Sequence, residues 1–276
     1  MWFSSLRRAG WNCAYALPLR VRKPLALALA GYTPLSKRHW YATRLLEDFA
    51  RRQPENFQRL IWSHHLGRAA EYERAHGLLS GQLSASRMLL ARDLMAVLES
   101  RKLSPKRVLD AGCADGHFLR HLELSLSLQN ATWLGVDIDA RALRAGERRL
   151  AAAGSQIRLR RGDLCHMSDW IGEQAFDLVL CAGVLRFFNA EHAAGIVARL
   201  LRHTLQLLAL SGPAHRQCDN ASLKGSEIGA DCSYIHNLDA MVEYAGGQVL
   251  WRRWQPAGRT DGQSLYFVFA APGFGN

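Results

Sequence analysis

The residues best suited to chemistry lie in Arg107-Val108-Leu109-Asp110-Ala111-Gly112-Cys113-Ala114-Asp115-Gly116, an apolar run that ends in an acid and passes into a turn of small residues. Such a turn lets backbone N–H groups approach a nucleotide-like ligand, and a helix that follows it turns its N-terminus toward the same point. Two further acids stand at the ends of short apolar runs, in Leu134-Gly135-Val136-Asp137 and in Arg161-Gly162-Asp163-Leu164. Carboxylates accept hydrogen bonds at up to about four lone-pair sites, so acids in these places suit the hydroxyl and amino hydrogens of a nucleoside. A fourth run, Phe176 to Leu185, leaves its apolar stretch through Ala182-Gly183.

Spacing discriminates between ligands. A dinucleotide fingerprint, G-x-G-x-x-G, would place its third glycine at position 117 counting from Gly112, and that residue is His117. A nicotinamide-dependent oxidoreductase is therefore disfavoured. The pattern here is D-x-G-x-A-x-G, which resembles motif I of the class I S-adenosylmethionine-dependent methyltransferases, with Ala114 in place of the middle glycine. The resemblance covers about residues 84 to 276 and rests on four segments in the order that family has them. It implies S-adenosylmethionine as cofactor, with Asp110, Gly112, Ala114 and Gly116 forming the turn that admits its amino-acid tail. It further implies Asp137 accepting both ribose hydroxyls, Ile138 against the adenine, Asp163 meeting the adenine amino group and Leu164 packing on the ring. Cys181, at the fourth-strand exit beside the transferable methyl, joins this set as a small buried apolar side chain rather than as a thiol nucleophile.

A sulfonium methyl is already electrophilic, so such a protein has mainly to align a nucleophile and exclude water. An aliphatic hydroxyl acceptor would gain from a general base, and histidine suits that role near neutral pH. His236 is the first candidate and His215 the second, both in stretches after the fifth strand where substrate-facing loops are expected; Tyr234, Arg216 and Arg186 could orient an anionic acceptor. His117 and His121 are four apart, a spacing that permits a shared metal face, yet neither an acid nor a third ligand accompanies them, so no metal is expected. Six cysteines without a CxxC pair suggest neither a zinc site nor a disulfide framework. No Asn/Asp-Pro-Pro-aromatic segment and no Pro-Cys pair follow the fourth strand, which lowers nucleobase amines and cytosine carbon as targets.

Short apolar runs alternating with helical periodicity must hold these residues in place, which is the pattern of a parallel α/β sheet. Strands are expected at Arg107 to Ala111, Thr132 to Asp137, Gln156 to Arg161, Phe176 to Ala182 and Leu205 to Ser211, then at Gln248 to Trp254 and Ser264 to Ala270. Helices are expected between them, at about Gly116 to Leu128, Ala140 to Ala153 and Glu191 to His203, with another from about Tyr234 to Ala245 after a polar loop. The fold class is thus a Rossmann-like α/β unit, a seven-stranded mostly parallel sheet with helices on both faces. Ahead of it, apolar residues at helical spacing predict helices over Trp40 to Arg52 and Glu55 to Gly77, and Ser84 or Ser86 caps a third that Pro105 stops. The division is a basic helical extension or cap, residues 1–83, and a methyltransferase domain, residues 84–276.

The chain carries 35 Lys and Arg against 24 Asp and Glu, a formal charge of +11. Eight basic residues, from Arg7 to Arg44, precede the first acid, Glu47, so the excess is local. Mixed with Trp2, Phe3, Trp11 and Tyr15, it suits peripheral contact with an anionic membrane or with RNA phosphates. The apolar run from Leu25 to Gly31 is too short to span a bilayer. The expected activity is O-methylation of a small molecule, a sugar or a lipid-linked glycan. An RNA methyltransferase is the alternative, and a catalytically silent cofactor-binding partner is a third reading. The expected location is the cytoplasm, at the inner membrane face if the basic segment binds lipid; organellar targeting by the Arg-rich start is the lesser alternative.

Overall fold

The computed structural model describes residues 17–32, 45–126, 128, 130–229, 233–256 and 264–273. The helix start expected at Trp40, the residues before Leu17 and Cys232 lie outside the described residues. Helices α1 (Leu19–Tyr32), α2 (Glu47–Arg52), α3 (Pro54–Ser63), α4 (Gly67–His76) and α5 (Ala85–Ser100) come first. An alternating series follows: β1 (Arg107–Ala111), α6 (His117–Leu126), β2 (Thr132–Asp137), α7 (Ala140–Ala152), β3 (Arg158–Arg161), α8 (Ser168–Ile171), β4 (Phe176–Ala182), α9 (Ala190–Arg202) and β5 (Thr204–Gly212). The chain ends with a small ribbon, β6 (Glu227–Ile228) and β7 (Tyr234–Ile235), then α10 (Leu238–Tyr244), β8 (Gly247–Gln255) and β9 (Leu265–Pro272).

Seven strands form one sheet in the order β3-β2-β1-β4-β5-β9-β8, parallel through β5, with β9 antiparallel to both of its neighbours. The Rossmann-like expectation holds. Strand β4 shows why its sequence reads as unbroken apolar residues: Leu178 and Leu180 face one layer, Val179 and Cys181 the other, and all four are fully buried. On one side they meet Leu94 of α5, Phe118 of α6 and Leu143 of α7; on the other, Ile196, Val197 and Leu200 of α9. The chain runs outward in opposite directions from β1 and β4, and a crevice opens beyond their carboxyl ends at this switch point, where sheets of this type bind ligands.

Two helices differ from expectation for stated reasons. The stretch Glu55 to Gly77 breaks into α3 and α4 because His65 takes a left-handed backbone (φ 53°) and reaches across to the sheet domain. Its Nδ1 lies 2.5 Å from Asp139 Oδ2 and its Nε2 lies 3.0 Å from Glu73. The helix expected from Tyr234 starts only at Leu238, because Tyr234 and Ile235 pair with β6, and Asn237 then caps α10 by accepting the N–H of Ala240 at 2.9 Å. Ser84 caps α5 as anticipated.

The N-terminal helices have a small core of their own, with Ala26, Leu45, Leu46, Phe49, Phe57 and Ile61 buried together. Polar contacts at long sequence separation bind them to the sheet domain. Beyond His65, Arg149 reaches Glu73 at 3.2 Å, Leu78 N–H donates to Asp115 at 2.8 Å, His192 Nδ1 donates to Glu55 at 2.6 Å, and Arg59 pairs with Asp163.

Burial alone would depress the His65 pKa, but the hydrogen bonds and charges of Asp139 and Glu73 outweigh it and raise it from 6.5 to about 9. The stabilisation is therefore full below pH 6.5 and lost as pH rises through about 9. Removing the cation from between buried Asp139 and half-buried Glu73 should cost about 3 kcal/mol. His65→Ala is predicted to lower the melting temperature clearly at pH 6, with the gap to wild type closing by about pH 9.5; thermal scans across that range check it.

Candidate active site

A cavity of about 300 Å³ lies at the carboxyl end of the sheet, over the β1/β4 switch point, a volume at the lower end of those that hold small ligands. The strand exits supply one side of it: Gly112 and Ala114 after β1, Asp137 and Ile138 after β2, Gly162 to Leu164 after β3. Ala182, Gly183 and Val184 after β4 and Ser211 to Pro213 after β5 continue the wall. The N-terminal helices close it with Glu55, Gln58, Arg59 and Trp62 of α3, Tyr72 of α4 and Arg87 of α5.

The turn after β1 is strained in the way a close-approaching ligand needs. Gly112 has φ 92°, and a Cβ there would meet Val184 Cγ2 at 2.2 Å, so no other residue fits. Ala114 also has positive φ, 52°, which costs an L-residue about 1 to 2 kcal/mol. Its N–H donates to Asp137 Oδ2 at 2.8 Å, which helps to hold that conformation. Gly116, φ 82°, closes the turn into α6 without lining the cavity.

Asp137 accepts the N–H of Asp139 at 2.8 Å through its other oxygen, leaving lone pairs on both for two ligand hydroxyls. Burial raises its pKa, against the backbone N–H groups of Asp139 and Ala114. Asp163 accepts Cys165 N–H at 2.9 Å and pairs with Arg59. Asp110 is fully buried, and neither of its oxygens has a hydrogen-bond partner among the described residues. Burial pushes its pKa up to about 6 against the opposing pull of Arg87, while Asp137 adds to the rise. Arg87 in turn donates to Ala182 O at 2.7 Å, and its buried Nη1 has no hydrogen-bond partner among the described residues. Arg87 lines the cavity and Asp110 lies buried behind its β1 turn, so an orphaned guanidinium nitrogen and an orphaned carboxylate near one end of it suit the carboxylate and the ammonium of a zwitterion.

The remaining expected residues fall elsewhere. Cys181 is fully buried behind the wall that Ala182 and Gly183 form, and burial raises its thiol pKa, which fits an apolar packing role. His236 and His215 do not line the cavity. His236 Nε2 must donate to Leu185 O at 3.0 Å, since a carbonyl only accepts, and Nδ1 then takes the Ser226 hydroxyl at 2.6 Å. Burial lowers its pKa, and its ring stacks on Tyr234. His215 Nδ1 accepts Cys218 N–H at 3.1 Å and Gln217 N–H at 3.3 Å, so its Nε2–H faces Glu227 at 3.3 Å. Both rings are thus hydrogen-bonded to the loop after β5 and its neighbours, outside the cavity lining. Arg186 does line the cavity, whereas Arg216 is exposed. His117 Nδ1 donates to Asp115 at 2.9 Å inside the protein.

Residues 108–205 match the family model described as a methyltransferase domain. Magnesium protoporphyrin IX methyltransferase from Synechocystis PCC 6803, solved with bound SAM, superposes with a TM-score of 0.57 at 17% identity, over 79% of this chain and 96% of that one. The PH0226 protein from Pyrococcus horikoshii OT3 superposes with a TM-score of 0.54 at 14% identity, over 73% of this chain and 98% of that one. At these identities the likeness is one of fold. No curated protein sequence matches the chain. Residues 108–205 therefore form a methyltransferase domain on this fold, an enzyme unit whose methyl donor is S-adenosylmethionine.

The cavity residues fit that cofactor: the bare turn, Asp137 with free lone pairs, and Arg87, with the orphaned Asp110 buried just behind the turn, suit its ribose and its amino-acid end. Asp137→Ala is predicted to weaken S-adenosylmethionine by about 10- to 100-fold, the worth of a charge-assisted bond to a hydroxyl. Calorimetry on the folded variant measures it, and unchanged affinity would exclude that role for Asp137.

Proposed function

We propose that the enzyme O-methylates a small-molecule acceptor, with residues 1–83 as a cap over a catalytic domain formed by residues 84–276. The observation that carries the reading is the far side of the cavity, where Trp62, Tyr72, Phe187, Phe188 and Phe267 face the exits of β4 and β5. An acceptor placed there lies past the switch point from Asp137 and Asp163. Helix α3 covers it, which favours a compact acceptor over a polymer strand. Bound S-adenosylmethionine supplies an electrophilic methyl; the protein's own task is to hold the acceptor oxygen in line and to keep water out. His236 and His215 lie outside the cavity lining and hydrogen-bond to the loop after β5 and its neighbours, which favours an acceptor whose own hydroxyl is acidic. Incubation with methyl-labelled S-adenosylmethionine and either dialysable metabolites or total RNA tests the proposal. Base-stable label in the small-molecule fraction is expected, and label in RNA would overturn it in favour of the RNA reading.

A peripheral membrane contact has separate support. Leu17, Val21 and Leu25 recur every fourth residue along α1 and its entry and are 36 to 41% exposed, with Arg20 and Lys23 beside them. No helix among the described residues is long and apolar enough to cross a membrane. Full-length protein is predicted to cosediment with phosphatidylglycerol vesicles at low salt, and the double substitution Val21→Glu, Leu25→Glu to abolish it. Equal sedimentation of the variant would remove α1 as the contact.

A further inference from the structure

We infer that the acceptor is a small flat aromatic hydroxy compound, a phenol, laid against the aromatic wall and oriented by the indole N–H of Trp62. The inference rests on the methyltransferase reading and deepens it by naming the substrate class.

Three observations lead there. The first is the wall itself. Trp62 and Phe187 pack with ring centroids 5.0 Å apart, and Tyr72 meets Trp62 edge-on at 6.3 Å, so α3, α4 and the turn after β4 present one continuous aromatic surface to the cavity. Such a surface favours a planar ring by stacking. A saccharide would need hydrogen-bond partners around its whole rim.

The second is an orphan. Trp62 Nε1 is buried and has no hydrogen-bond partner among the described residues. A buried donor left unpaired is costly, and the usual resolution is a partner that arrives with a ligand. Indole N–H only donates, so the incoming atom is an acceptor such as a phenol or phenolate oxygen.

The third is the state of the acids and bases near the acceptor. Glu55 lines the cavity, but its two oxygens already accept from His192 Nδ1 at 2.6 Å and from Asn189 N–H at 3.1 Å. Asp163 is engaged by Arg59 and by Cys165 N–H, and His236 and His215 stand outside. Each carboxylate oxygen so placed already accepts a hydrogen bond, which leaves these acids weaker bases than an aliphatic hydroxyl needs. A phenol ionises near pH 10 and needs far less help. Arg186 favours the oxyanion; it lines the cavity with its guanidinium carbon 5.8 Å from the Phe187 ring centroid and donates to Ser233 Oγ at 2.8 Å. The balance is simple. The phenol gives its proton to solvent water, the oxygen lone pair forms the new O–C bond as the C–S bond breaks, and the C–S electron pair stays on sulfur, leaving a neutral thioether.

The test uses full-length protein saturated with S-adenosylhomocysteine, titrated calorimetrically with 2-naphthol or with methyl glucoside, followed by turnover of the same probes with S-adenosylmethionine. Binding and methylation of 2-naphthol are expected, with kcat/KM rising with pH toward the ionisation of the naphthol, and no heat or turnover with methyl glucoside. Trp62→Phe keeps the ring and removes the donor; it should weaken 2-naphthol about tenfold while the protein still binds S-adenosylmethionine. Phe187→Ala should weaken the same probe through loss of the wall. Methylation of methyl glucoside, failure of 2-naphthol to bind a protein that does bind S-adenosylmethionine, or an unaltered 2-naphthol affinity in Trp62→Phe would each overturn the inference. Failure to bind S-adenosylmethionine would instead sink the reading beneath it.

Discussion

A single buried imidazolium holds the architecture together. His65 stands between Asp139 and Glu73, and Asp139 uses its other oxygen to cap α7 by accepting the N–H groups of Arg141 and Ala142 at 2.9 and 3.0 Å. Asp139 also donates its own N–H to Asp137, the acid that faces the cavity. One chain of hydrogen bonds therefore runs from the N-terminal helices through a helix cap to the proposed ribose site. Burying these charges is unfavourable in isolation, and they persist because each has a partner of opposite sign within hydrogen-bond distance. The arrangement fixes where α3 and α4 sit, and so which side chains close the cavity.

The division of labour follows from that placement. Strand ends contribute carboxylates and bare backbone, groups suited to a nucleoside with an amino-acid tail. The helices contribute aromatic surface and arginines, groups suited to an apolar acceptor with an electron-rich oxygen. Arg59 and Glu55 pin the rim at two further points, on Asp163 and on the N-terminus of α9. The cavity is thus assembled from two parts of the chain that are far apart in sequence.

That separation explains what could be read in advance. The sheet was legible because β1, β2 and β4 are apolar runs that end at glycines or acids, and those boundaries match to the residue. Strand β3 starts two residues later than expected, because Gln156 is held at the edge by Glu123. Which helical side chains reach the cavity was not legible. Trp62, Tyr72 and Arg87 carry no motif, and the contacts that place α3 join residues about 70 to 140 positions apart. The placement of the histidines after β5, outside the cavity lining, has the same kind of cause. A polar loop after a strand suggests a substrate-facing position, but Asn220 folds this loop inward by donating to Pro213 O and His236 O and accepting His215 N–H. Both rings then serve the loop.

The account stands or falls on whether cap and strand ends act as one binding site. Hydrogen exchange by mass spectrometry, with and without S-adenosylmethionine, addresses this directly. Simultaneous protection of residues 112–116, 137–139 and 54–76 on adding the cofactor is the predicted result. Protection confined to the strand-end loops, with 54–76 unchanged, would contradict it.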